Sequence, residues 1–182
     1  MSKYILFISI LFCLKGFAQK EGQIFCEGDK DEPFFMLWQG KKVILWQNTH
    51  YIENFKGFKK IKDKTYLEYE QIWENGSTNT LLLRESKGIV YQYETCCEEE
   101  TIRMPKNPKP GMTWKTADGL ASYEIVSVDK ELKTNVCNYK GLLELKLILP
   151  DVTFHFYYLK GYGYVGATVF NELISEVVPR LK

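Results

Sequence analysis

Residues Phe154–Phe170 read FHFYYLKGYGYVGATVF. Gly161, Gly163 and Gly166 give the spacing G-x-G-x-x-G, the fingerprint of dinucleotide-binding loops. That chemistry needs the glycines to follow a strand and open a helix inside a βαβ unit, so that the helix N-terminus holds the pyrophosphate. Here Val165, Thr168, Val169 and Phe170 follow, a β-branched and aromatic run with no helical period. The stretch therefore reads as strand, glycine bend, strand. Phe154, Phe156 and Tyr158 share one face, and His155, Tyr157 and Leu159 the other. Gly161 and Gly163 permit the bulge or sharp coiling that bulky residues resist.

The same texture extends outward. Gly141–Leu149 (GLLELKLIL) sets Leu143, Leu145, Leu147 and Leu149 on one face against Glu144 and Lys146 on the other. Thr65–Trp73 (TYLEYEQIW) alternates and runs into Asn75-Gly76, a strong hairpin signal, before Thr80–Arg84 returns. Lys87-Gly88 separates that run from Ile89–Thr95. Phe34–Gln39 and Lys42–Gln47 flank Gly40-Lys41 and predict another hairpin. Further strands are expected over 98–104, 112–115, 121–128, 152–159, 164–170 and 173–178, with a turn at Asp129-Lys130. Pro105–Gly111 (PKNPKPG) cannot lie in a central strand and must connect. The halves it separates are small for independent cores. The fold class is all-β: one domain over 19–182, with about ten to twelve antiparallel strands in a curved sheet or partly open barrel.

Residues 1–18 read as a secretory signal peptide. Lys3 is followed by the apolar run Tyr4–Leu14, then Gly16 and Ala18 at the small-residue positions of a cleavage site. Cys13 follows Phe12 and lacks the small residue that precedes an acylated cysteine. The expected location is the periplasm or the extracellular space, with no transmembrane segment in the mature chain. Without Lys3 and Lys15 the chain carries 22 basic and 23 acidic residues. That balance argues against nucleic acid as a partner, because such binders cluster cations against phosphates.

Four mature cysteines remain: Cys26, Cys96, Cys97 and Cys137. In an exported chain they are disulfide candidates. If Cys96 and Cys97 sit in a strand they point to opposite faces, and each could bond one of Cys26 and Cys137. One bridge with two thiols left over is the alternative, and a vicinal ring is the strained option. Adjacent cysteines do not have zinc-ligand spacing.

Catalytic signals are weak. His50 and His155 lack the partners that nucleophilic or metal hydrolases require, and read as a loop residue and a sheet-face residue. Glu68 with Glu70, and Glu98–Glu100, could serve as carboxylate pairs but fit a solvated sheet surface. Asp29, Asp31 and Glu32 lack the glycine and terminal glutamate of a calcium loop. No catalytic residue, metal or cofactor is assigned. Trp114, Phe156, Tyr158, Tyr162 and Tyr164 are the aromatic residues expected to touch a ligand if a cavity lies behind them.

The second half, about 105–166, resembles a loosely defined group of secreted or lipid-anchored β proteins of Bacteroidetes-type bacteria. The resemblance rests on Gly111-Met112-Thr113-Trp114 and on Tyr157–Val165, a G-x-T-W … Y-Y-x-x-G-x-G-x-V frame. It implies antiparallel sheets like those of periplasmic lipoprotein carriers and transfers no catalytic residues. The resulting expectation is a non-enzymatic exported protein holding an apolar or amphipathic, lipid-like ligand in a concave sheet. A structural or protein-interaction module of the envelope is the alternative, and a carboxylate-dependent hydrolase the third reading.

Overall fold

The structure, a computed structural model, describes residues 26–178. The signal-peptide reading of 1–18 lies outside them. Twelve strands follow in chain order: β1 Lys41–Trp46, β2 Thr49–Ile61, β3 Lys64–Trp73, β4 Thr78–Ser86, β5 Ile89–Glu94, β6 Glu99–Met104, β7 Thr113–Lys115, β8 Ser122–Lys133, β9 Asn138–Ile148, β10 Thr153–Leu159, β11 Gly163–Val169 and β12 Glu172–Val178. All belong to one antiparallel sheet of order β6-β5-β4-β3-β2-β1-β12-β11-β10-β9-β8-β7.

The sheet is a nearly closed barrel. Its edge strands β6 and β7 meet without a backbone ladder. Trp114 Nε1 donates to the Ile102 carbonyl at 2.7 Å, and the Ala117 amide to Thr101 Oγ1 at 2.9 Å. The proline-rich connector joins β6 to β7 around this seam.

Tight turns follow from their residues. Lys87 and Gly88, between β4 and β5, have φ of 53° and 81°, the pair of positive values a type I′ hairpin needs. The GYGYVG glycines are settled by geometry. Gly161 (φ 74°) and Gly163 (φ 92°) make the bend between β10 and β11. At Gly166 a Cβ would stand 2.7 Å from the Ser175 carbonyl oxygen, so only glycine lets β12 approach.

Two cores form. One joins Val90 and Met104 to Tyr123, Ile125, Leu143, Leu145 and Tyr158, holding the two sides of the seam together. The other packs Leu132, Cys137, Tyr139 and Leu142 from the β8–β9 hairpin against Tyr157, Leu159, Val165 and Val177. Leu142 and Leu143 are both 0% exposed yet belong to different cores, so β9 is covered on both faces. The face carrying Glu144, expected to be solvated, is buried there.

Three expectations are corrected. Phe34–Gln39 is not a strand. The neighbours of β1 are β2 and β12, which leaves no free edge for it. Its Phe34, Phe35 and Leu37 instead pack into the seam core. The region of His50, expected as loop, is β2, whose ladder with β3 is interrupted between Phe55 and Gly57. The expected turn at Asp129-Lys130 is strand, because β8 bends through register shifts between Ile125 and Leu132 rather than reversing.

Candidate functional site

A cavity of about 120 Å³ lies inside the barrel between β1–β4 on one side and β10–β11 on the other. The aromatic wall includes Trp46, Tyr51, Phe156, Tyr158 and Tyr164. Alternation explains the set: Lys42, Ile44 and Trp46 share one face of β1, as Tyr51 and Glu53 share one face of β2. Three charges also face the cavity: Lys42, Glu53 and Arg103. Cations outnumber anions there by two to one.

Each charge has distinct partners. Glu53 Oε2 accepts from Gln71 Nε2 at 2.9 Å, across the β2–β3 ladder. Arg103 Nη1 donates to the Tyr123 hydroxyl at 2.6 Å, but its Nε is buried with no partner. The Tyr69 hydroxyl, also on the cavity wall, is buried and unpartnered too. A sealed polar group with no partner costs roughly 1–3 kcal/mol. Lys42 Nζ donates to the Tyr162 carbonyl at 3.0 Å and stands 4.6 Å from the Tyr162 ring centroid. Burial pushes the Lys42 ammonium down to about 8, with Glu53 opposing the shift. Burial also raises the Tyr158 phenol to about 12, so it stays neutral and can donate.

A retained buried cation has a measurable cost. Below about pH 8 Lys42 is charged in both folded and unfolded chains, and the burial penalty is fully felt. Between about 8 and 10.5 the folded chain has released the proton and the unfolded chain has not, so stability rises with pH. Lys42→Met is therefore expected to stabilise the protein by up to about 3 kcal/mol at pH 7. The gain should shrink toward zero by pH 10.5, which urea unfolding at pH 7, 9 and 10.5 would read. Trp38 Nε1 also donates to the Tyr162 carbonyl, at 2.5 Å, so that oxygen keeps a partner in the variant.

An open groove of about 620 Å³ lies beside the proline-rich connector, floored by Phe34, Val90 and Met104 and edged by Lys106, Lys109 and Lys160. Phe35 lines both this groove and the interior cavity, and stacks on Tyr158 with centroids 5.5 Å apart.

Of the five aromatic residues singled out from sequence, Phe156, Tyr158 and Tyr164 come together on the cavity wall. Trp114 sits at the seam, stacked on Tyr123 at 5.4 Å. The Tyr162 ring packs in the β8–β12 core. Sequence reading missed Lys42, Glu53, Tyr69 and Arg103. A usable signal existed: a charge on the apolar face of an alternating strand, as in Lys42-x-Ile44-x-Trp46.

The remaining candidates are dispersed. His155 Nδ1 lies 2.7 Å from Glu144 Oε1, and Lys130 Nζ 3.3 Å from Glu144 Oε2. His50 faces Glu74 at 3.5 Å. Glu68 and Glu70 pair with Lys59 and Lys56. Asp29 caps its own turn by accepting from the Asp31 amide. Among the described residues no group of three or more His, Cys, Asp or Glu side chains could hold a metal ion, and no helix is long and apolar enough to cross a membrane.

Cys26 and Cys137 form a disulfide, whereas Cys96 and Cys97 are not disulfide-bonded. The expected pairing of Cys96 and Cys97 with these two cysteines is replaced. They lie in the four-residue turn between β5 and β6, so their side chains do not alternate across a sheet.

No known family profile matches this chain, and no curated protein does. Two solved bacterial structures align with it. One is a presumed exported protein with a YmcC-like fold from Bacteroides fragilis, 13% identical, with a TM-score of 0.46 over 83% of this chain and 99% of the other. The second is a presumed lipoprotein from Parabacteroides distasonis, 11% identical, with a TM-score of 0.47 over 81% and 96%.

Proposed function

We propose that this chain is an exported, non-enzymatic binding protein that takes a small amphipathic anion into its barrel interior. The observation that carries the reading is an aromatic cavity whose lining brings two cations, Lys42 and Arg103, together with one anion, Glu53. A carboxylate would pair with these cations, and the aromatic rings would cover a short apolar remainder. The volume limits the guest. A cavity of about 150 Å³ takes benzene, and drug-sized pockets begin at about 300 Å³. A chamber of about 120 Å³ admits a head of about five or six heavy atoms and excludes a long acyl chain, which narrows the lipid-like expectation. Phe35, shared by groove and cavity, stands on the route inward. Export is supported by the leader-like first eighteen residues and by the Cys26–Cys137 bond, since disulfides persist in oxidising compartments.

The test is a titration with propionate and butyrate against propionamide and butyramide, read by tryptophan fluorescence and by calorimetry. The acids should bind and the amides should bind at least tenfold more weakly. Arg103→Leu should abolish the preference while preserving the fold by circular dichroism. Equal binding of acids and amides, or full acid binding by Arg103→Leu, would overturn the reading.

A further inference from the structure

The turn Thr95–Glu98 joins β5 to β6, and the last paired residues before it are Glu94 and Glu99. Glu98 closes it with φ of 52°. This geometry brings the sulfurs of Cys96 and Cys97 to 2.8 Å, well inside the separation of ordinary non-bonded sulfurs and about 0.8 Å longer than a disulfide bond. Cys96 is exposed and Cys97 partly covered. We propose that Cys96 and Cys97 are a thiol–disulfide exchange site that takes a small, positively charged disulfide as co-substrate.

The roles of the two sulfurs differ. The two sulfurs share a hydrogen bond in which either can be the donor, and that contact above all pushes the Cys97 thiol up to about 11, with the nearby carboxylates Asp118 and Glu94 acting the same way. Cys97 therefore keeps its proton at neutral pH. Cys96, the accessible sulfur, is the attacking one. Its thiolate attacks one sulfur of R–S–S–R, forming Cys96–S–S–R and expelling RS⁻, which takes up a proton. Cys97 then loses its proton, attacks the Cys96 sulfur and expels the second RS⁻. Two thiols become one disulfide closed through the Cys96–Cys97 peptide, and the co-substrate is reduced by two electrons to two RSH.

The surroundings select the charge of that co-substrate. Glu94, Glu98, Glu99, Glu100 and Asp118 crowd the turn in sequence or in space. Lys62 pairs with Glu98, and Lys64 and Arg84 with Glu100. Among the described residues Glu94, Glu99 and Asp118 carry no ion pair, which leaves a negative rim. Such a rim concentrates cations and repels anions, and salt screens the effect over about 10 Å at 0.1 M.

The experiment treats the full chain, first reduced at these two cysteines, with cystamine or with oxidised glutathione, then alkylates and reads each cysteine by peptide mass. The proposal expects the Cys96–Cys97 peptide to lose two hydrogens and escape alkylation. Cystamine should react at least threefold faster than oxidised glutathione at low ionic strength, with the gap closing in 1 M salt. Cys97→Ser should trap one mixed disulfide on Cys96, and Cys96→Ser should trap its counterpart at least tenfold more slowly. Full alkylation of both cysteines after exposure, disulfide-linked dimers as the main product, equal trapping by the two variants, or faster reaction with glutathione would each overturn it.

Discussion

Cys26→Ser together with Cys137→Ser is expected to lower the melting temperature by roughly 5–15 °C. The bond closes a loop across a sequence separation of 111 residues, most of the described chain. In the chain-entropy account a loop of about 100 residues removes enough denatured-state freedom to stabilise by about 4.7 kcal/mol, and native disulfides deliver about 2–5. Part of that is returned when the bond is absent, because the segment before β1 gains local freedom. It is otherwise held by the Asp29 amide on the Lys160 carbonyl and the Gly161 amide on the Pro33 carbonyl, at 3.1 and 3.0 Å. The cysteine-to-serine pair separates this effect from the Cys96–Cys97 chemistry, which a chemical reductant would disturb as well. Calorimetry of the variant beside the parent, both without reductant, gives the answer. An unchanged melting temperature would mean that the bridge holds only a local strap.

Glu100→Gln should cost about 1–3 kcal/mol, the usual result of removing the charged acceptor from a hydrogen-bonded cluster. Glu100 on β6 gathers partners from two other strands. Arg84 of β4 approaches with Nε on Oε1 and with Nη2 on Oε2 at 2.6 Å, and from β3 the Tyr66 hydroxyl and Lys64 Nζ each donate at 2.7 Å. Arg84 also lies 4.4 Å over the Tyr91 ring of β5, so the cluster clamps β3 to β6. Burial alone would raise the Glu100 carboxyl. The donors from Arg84, Lys64 and Tyr66 outweigh it and hold the group down to about 2. Since this pKa lies below the unfolded value, the stabilisation is complete above about pH 4.5 and disappears as pH falls toward 2. The parent should therefore lose roughly 1–2 kcal/mol across that window in urea titrations, solvent screening reducing the full effect, and the variant should lack this component. Equal acid slopes in the two proteins would assign the clamp no electrostatic role.

The strands that alternate cleanly, such as Thr65–Trp73 and Gly141–Leu149, were legible because one face is apolar and their turns carry Asn-Gly, Lys-Gly or proline. β2 was not, since FKGFKKI interleaves lysines with aromatics and contains a glycine. Its strand character is imposed by ladders to β1 and β3, as tertiary context overrides local preference. Phe34–Gln39 failed in the opposite sense. It has strand composition but no open edge, and its aromatic side chains are used as a plug. The aromatic half of the candidate site could be read from Phe156, Tyr158 and Tyr164, which alternate in view. The charged half could not be assembled, because Lys42, Glu53 and Arg103 come from three strands that only the barrel brings together.

The strand order places the covalent break and the hydrogen-bond break on different sides of the ring. Each six-strand half is a meander of sequence neighbours, and one ladder, Val43–Trp46 against Ser175–Val178, stitches the ends of the chain together. That ladder is the most distant pairing in the sequence and carries the largest closure entropy, so it should form late. A circular permutant that joins Val178 to Cys26 through a short linker, so that the segment packed into the seam core is kept, and opens within Pro105–Gly111 would place every ladder between sequence neighbours. It would keep the seam where it is and turn the slowest search in this fold into a local one.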